Sequence, residues 1–342
     1  MRYAKLFSLM VAGVIGLYGA IGLYFLPLAG FEGDLTRVGM LPEKMFGWTK
    51  PQPAIDPALL RSASWQEADV LVVGDSFSEP RIWQTALVKR GLKVRTQHWT
   101  SVRGVCEDFY PWLRSQGFRG KIVIFEVVER NIEAGLANSV ACKKLDYHPS
   151  INADKAVHPP RISRVAVDRS GRLAVGLQTL SNSLKYQEVS NKPGFEEWVM
   201  PGGAKVHHIP RGCQQFSHAQ CQDALFYSSD RVTDLPDSTV DSIATLNSRL
   251  GDITPLWVFM PDKSTIYLHP DKQFWNKVEQ RFNAPNVLNT LRAALDRGVI
   301  DLYPANNSHL STTGYLLLGD LIYQHISPAH STTRQKNAKI PN

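Results

Sequence analysis

An uncharged stretch from Leu6 to Phe31 opens the chain, and shorter apolar runs alternate with amphipathic segments through most of the remainder. The long stretch exceeds the roughly 20 residues that cross a bilayer. Among the shorter runs, Asp69 to Val73, Lys121 to Val128, Leu256 to Met260 and Val299 to Leu302 are mostly apolar and rich in β-branched or aromatic residues and read as buried strands, and the regular spacing adds a strand at Lys93 to His98. Between them, apolar positions predict helices over about Pro80–Arg90, Val105–Gln116, Ser238–Leu250, Phe274–Phe282, Val287–Arg297 and Thr313–Ile326. Strands and helices alternating in this way predict right-handed βαβ units, and so an α/β domain whose parallel sheet carries helices on both faces.

Two regions lack this regularity. From Glu32 to about Glu67 the chain is rich in Pro and small residues without a sustained period, which predicts a tether and lead-in. Between about Ala134 and Asp237, Pro, Gly, His and Ser interrupt short β-like pieces such as Arg172–Val175 and Lys205–Ile209. A structureless loop of that length does not belong in a compact domain, so an irregular, β-rich subdomain inserted over the sheet edge is expected, with substrate binding as its use. The organisation read from the pattern is a membrane segment (1–31), a lead-in (32–67), an α/β domain (68–328) with the insertion at about 134–237, and a polar, basic tail (329–342).

Charge and cysteines add an address. Arg2 and Lys5 precede the apolar span and should stay in the cytoplasm, which sends everything after Glu32 across the membrane. The span reads as an uncleaved single-pass anchor; Leu28-Ala29-Gly30 leaves a cleaved signal open, and both readings export the body of the chain. Cys106, Cys142, Cys213 and Cys221 fit an oxidising compartment. Cys213 with Cys221 is the easier pair, leaving Cys106 with Cys142, although sequence leaves the two other connectivities open. A net charge of +7 favours acidic partners. Without a basic helix, zinc-ligand spacing or an aromatic RNA-binding motif, nucleic acid is not among them.

The chemistry centres on Gly74-Asp75-Ser76-Phe77-Ser78, where the first strand stops. Ligands of parallel sheets bind beyond the carboxyl ends of the strands, so Ser76 stands where chemistry is done, or else Asp75 and Ser76 simply cap the next helix. A serine hydroxyl needs a base to become a nucleophile. His309, in Asn306-Asn307-Ser308-His309-Leu310-Ser311-Thr312-Thr313-Gly314, is the candidate.

Gly-Asp-Ser after the first core strand, Gly104 after the second, Asn131 after the third and a late His309 follow the block order of SGNH hydrolases. With Val127-Val128-Glu129-Arg130, Pro261-Asp262-Lys263-Ser264-Thr265-Ile266-Tyr267 and the His309 segment, the chain resembles the SGNH-like proteins that O-acetylate bacterial exopolysaccharides, the alginate and cellulose acetylation family. The resemblance covers roughly Ala68 to Ile326 apart from the insertion. It implies a flavodoxin-like sheet and an acyl-enzyme on Ser76 with His309 as base. It also implies a polysaccharide acceptor and an acetyl donor in the form of a membrane-embedded acyltransferase. The oxyanion would fall to the Ser76 N–H, the Gly104 N–H and the Asn131 side chain. Asp75, Arg130 and Tyr267 join the substrate-binding set, with Arg130 alternatively paired to Glu129 or another carboxylate. The family's aspartate before the histidine is absent here. Asn306 and Asn307 stand in its place, so the triad is weakened, or Asp301 or another carboxylate substitutes, or the protein is a catalytically degenerate binding subunit. An esterase using water as acceptor is the enzymatic alternative. No cofactor and no metal are assigned; His207 and His208, being adjacent, point to opposite faces of a strand and do not ligate jointly. Phe77, Trp99, Tyr110, Trp112 and Tyr267 are candidates for stacking on sugars or for the core.

Overall fold

In the computed structural model, which describes residues 2–24, 33–149 and 173–327, the β-branched runs assemble as their burial demands. Seven strands are present among these residues: β1 (Val70–Gly74), β2 (Val94–His98), β3 (Ile122–Val128), β4 (Glu197–Val199), β5 (Ala204–His208), β6 (Asp223–Tyr227) and β7 (Thr254–Met260). The chain divides into two units. The first comprises Met1–Pro51, Pro160–Ser229 and Gly298–His309; the second comprises Gln52–Pro159, Asp230–Arg297 and Leu310–Asn342.

The second unit is α/β. Its parallel sheet has the order β2-β1-β3-β7, with Val70 opposite both Val94 and Ile122, and Ile122 opposite Thr254. Every residue of β1 is buried, as a central strand flanked on both sides requires. Aromatic rings fill the space above β3 and β7: Phe125 stacks on Trp257 with centroids 4.6 Å apart, and Trp99 stacks on Phe125 at 6.0 Å. Of the candidate sugar-stacking rings, Phe77 is fully buried and belongs to this core. Helices Asp237–Asn247, Phe274–Phe282, Val287–Asp296 and Thr312–Ile326 stand close to their predicted positions, whereas the helix Glu129–Ala141 was not expected from the pattern. Cys106–Cys142 joins the segment after β2 to the end of the helix Glu129–Ala141, whose last carbonyls, Ser139 O and Val140 O, accept from the Arg249 guanidinium at 2.7 Å each. A cation placed there complements the negative end of the helix dipole.

Several expectations change. The helix predicted over Pro80–Arg90 shrinks to Thr85–Val88 because Arg81 takes a left-handed φ of 57°, a conformation no helix interior accepts. Val105–Gln116 reduces to Phe109–Ser115. Val299–Leu302 is a turn rather than a strand: Gly298 and Asp301 have φ of 80° and 55°, and the Asp301 N–H donates to Gln215 O at 2.8 Å. Of the piece at Arg172–Val175 read as β-like, Arg172 lies outside the described residues and the rest belongs to the helix Leu173–Ser190.

The first unit carries the helix Arg2–Tyr24, the short helices Asp34–Gly39 and Glu43–Phe46, the helix Leu173–Ser190, and an antiparallel sheet of order β4-β5-β6. β5 matches the sequence expectation at Lys205–Ile209. Residues of the supposed tether are structural: Leu35, Leu41, Met45 and Phe46 form one apolar core with Tyr186, Met200, Val206 and Leu225. Cys213–Cys221 closes the second disulfide. Over Arg2–Gly22 the first helix is long and apolar enough to cross a membrane, and both disulfides suit an extracytoplasmic domain. The tail and the insertion's residues 150–172 lie outside the described residues.

Candidate active site

Strand order places the Gly74-Asp75-Ser76 turn. The chain runs from β1 outward to β2 on one side and through β3 to β7 on the other, so the connections diverge between β1 and β3. That divergence opens a crevice at the carboxyl ends of the two strands. Gly74-Asp75-Ser76 occupies it.

The turn is held by carboxyl groups. Asp75 Oδ1 accepts from Phe77 N at 3.0 Å and Oδ2 from Val128 N at 2.8 Å, which pins the end of β1 to the end of β3. Beneath it, Glu126 of β3 accepts from Asp75 N at 3.0 Å and from Ser78 Oγ at 2.8 Å. Trp83 Nε1 donates to that same hydroxyl at 3.2 Å. Gly74 is dictated by the close approach: a Cβ there would stand 2.3 Å from Ser78 Oγ and 2.7 Å from Glu126 Oε2. Within Gly74–Ser78, Ser76 alone is half-exposed while its neighbours are buried. Burial, and after it the Asp75 carboxylate, push the Glu126 carboxyl well above its ordinary range, so its protonated form is favoured. A neutral carboxyl beneath the turn keeps a second negative charge away from Ser76.

Gly104 is buried after β2, with the next amide, Val105 N, donating to Ser139 Oγ at 3.2 Å. Asn131 lies in the helix Glu129–Ala141 with its side chain exposed. Arg130, one residue earlier, points inward: its Nη1 donates to Asp262 Oδ1 at 2.6 Å and stands 3.9 Å from Asp230. Its partner is therefore Asp262 rather than Glu129, whose carboxylate accepts from Lys272 Nζ, from Thr265 Oγ1 at 2.6 Å and from Asp262 N at 2.9 Å. The Pro261–Tyr267 motif is thus the wall of a buried ionic cluster at the ends of β3 and β7. Burial first, then the Asp262 charge, push Asp230 up to about 7. Tyr267 closes the short helix Lys263–Tyr267.

His309 and its neighbours belong to the first unit. Asn307 Oδ1 accepts from His309 N at 2.9 Å and faces His309 Nδ1 at 3.2 Å. The backbone donor fixes which end of the amide meets the ring. Asp34 Oδ2 lies 3.6 Å from the same Nδ1, within ion-pair reach. Asp34 also accepts from Ser308 N at 2.9 Å and from the Ser308 hydroxyl, with Tyr227 OH at 3.3 Å. Burial pushes Asp34 upward, but the His309 ring and the Ser308 donors outweigh it and hold the carboxyl below its ordinary range. With oxygen acceptors grouped around Nδ1, the proton belongs on that nitrogen, and Nε2 is left as the basic atom.

The carboxylate that faces His309 is Asp34, which sequence reasoning did not find. Its partners lie 274 residues away along the chain, and the local signal was only an acid in the first turn of a short helix. Asp301 does not take that role, since its carboxylate accepts from Ser217 N at 3.0 Å and Ser217 Oγ at 2.5 Å. Asn306 is a brace: its amide donates to Glu43, and its carbonyl accepts from Leu35 N at 3.0 Å. Among the described residues no group of three or more His, Cys, Asp or Glu could hold a metal ion. No family model, curated protein or solved structure matches the chain, so its chemistry rests on its own residues and their geometry.

Proposed function

We propose that this protein is an SGNH-type acyltransferase that O-acetylates an exported polysaccharide from the periplasmic face of the inner membrane. The observation that supports it most is the contact of Asp34 with His309. An imidazole fixed by Asn307 and faced by an ionised carboxylate is prepared to accept a proton on Nε2, which a passive binding subunit does not need. In this reading Ser76 Oγ attacks the acetyl carbonyl, its proton passes to His309, and the carbonyl oxygen becomes an oxyanion held by the Ser76 and Gly104 amides. The donor's alcohol leaves with the proton from the imidazolium, and a sugar hydroxyl then repeats the sequence in reverse to carry off the acetyl group. Asp34 stabilises the imidazolium in both halves. The acetyl donor is a membrane-embedded acyltransferase, consistent with an anchored chain.

Water in place of the sugar makes the same site an esterase. Incubating the full chain in detergent with a chromogenic acetyl ester, with and without an oligosaccharide, tests both. Chromophore release with acetylated oligosaccharide is the expected result, release without transfer identifies a hydrolase, and no release overturns the catalytic reading.

A further inference from the structure

Gly22 of the first helix and Gly176 of the helix Leu173–Ser190 meet backbone to backbone in the first unit. A Cβ on Gly176 would fall 2.3 Å from both the Cα and the carbonyl oxygen of Gly22. Gly22 ends the apolar stretch Arg2–Gly22. At 1.5 Å per residue, a hydrocarbon layer about 30 Å thick takes about 20 residues, so Gly22 stands in the last turn of such a span. Whatever touches its backbone stands at the same depth. Burial agrees: side chains from Tyr3 through Tyr18 are exposed, whereas Gly22 is buried.

The second helix is built for that depth at one end only. From Leu173 it carries no charged residue before Lys185. Its early polar groups are satisfied within the helix, Thr179 Oγ1 donating to Val175 O at 2.8 Å and Gln178 Nε2 to Asn182 Oδ1 at 2.9 Å. Its other end belongs to the folded body, where Tyr186 is buried and Asn182 Nδ2 donates to Gly39 O at 3.0 Å. Uncharged backbone whose hydrogen bonds are internal is what an interfacial segment requires.

We propose that the helix Leu173–Ser190 is a second membrane contact, its turns up to Leu180 lying in the outer lipid interface beside the anchor, with lipid covering the face that bears Leu177. The proposal rests on the reading of Arg2–Gly22 as a membrane anchor. All four native cysteines are in disulfides, so a single introduced thiol can be spin-labelled in the full chain in lipid nanodiscs. Collision with dissolved oxygen and with a water-soluble nickel complex would be compared at Leu177→Cys, at Leu184→Cys and at Val14→Cys. The label at 177 should resemble the one at 14, oxygen-accessible and severalfold shielded from nickel, while the label at 184 should be open to nickel. If 177 matches 184 while 14 stays shielded, the second contact falls and the anchor stands. If 177 is shielded from both reagents, protein rather than lipid covers it and the proposal falls. If 14 is itself open to nickel, anchor and proposal fall together. Leu180→Cys supplies the same reading should Leu177→Cys fail to fold.

Discussion

Two buried carboxyl groups, one on each unit, show how little burial alone decides. Asp34 is nearly inaccessible and yet held below its ordinary pKa, because a histidine ring and two donors of Ser308 face it. Glu126 is as deeply buried and pushed far above, because its closest charged neighbour is another carboxylate, Asp75. Desolvation acts on both in the same direction; the sign of the neighbour settles the outcome. One unit thus sets a negative charge beside the proposed base, and the other withholds one from beneath the proposed nucleophile.

The comparison can be broken most severely at its centre. Ser76→Ala and His309→Ala should each abolish acetyl-ester turnover with little change in thermal midpoint, and the double variant should lose little more, because residues that act as a unit are non-additive. Undiminished polysaccharide acetylation in cells carrying only Ser76→Ala would leave a binding subunit as the better account. Next in size, Asp34→Asn should lower kcat by a factor on the order of 10⁴, as neutralising the acid of a serine triad does. Asn307→Asp, in contrast, should bring no gain in turnover, because the carboxylate is already supplied from elsewhere. A large gain would show that Asp34 does not serve His309.

The same division can be sharpened through stability. Chain entropy assigns ~3.8 kcal/mol to the Cys106–Cys142 bridge and ~2.5 kcal/mol to Cys213–Cys221, whose sequence separations are 36 and 8. Paired Cys→Ser variants in denaturant titrations should rank in that order. The smallest effect is Glu126→Gln, which should shift stability by within about 1 kcal/mol at pH 5, since the amide oxygen still accepts from Asp75 N and Ser78 Oγ. The native Glu126 keeps a proton that the unfolded chain releases above its ordinary carboxyl pKa, so its contribution to stability falls as pH rises. The Gln variant should therefore gain on the native protein as pH rises, and thermal midpoints that fall in parallel would refute the neutral carboxyl. Asp34 has the opposite sign, its contribution being present above its ordinary pKa and lost as pH falls.

Most of the parallel sheet was legible because buried strands announce themselves: Val70-Leu71-Val72-Val73 has no polar residue to mislead. The run at Val299–Leu302 is also mostly apolar, but left-handed Gly298 precedes it and left-handed Asp301 lies within it, and their φ is not written in an apolar pattern. The site was legible only where its partners are near in sequence. Asn307 and His309 share a turn, and their relation follows from spacing. Asp34 and Ser308 meet through the fold, as do Glu126 and Ser78, and a single sequence does not record such pairs. The lead-in misled for a related reason: its apolar residues are too few and irregular for a period, yet Leu35 and Phe46 are fully buried.

That lead-in has a practical consequence for handling the protein. A soluble version trimmed for expression would ordinarily start at the first regular strand, near residue 68, discarding everything that looks like linker. Such a trimmed chain loses Asp34, Glu43 and the apolar side chains around them, and with them the support of the Asn306–His309 turn. Under the proposed mechanism it would show no turnover for want of an acid encoded next to the membrane segment, and that silence would say nothing about the full chain. Expression boundaries should therefore begin no later than Gly33.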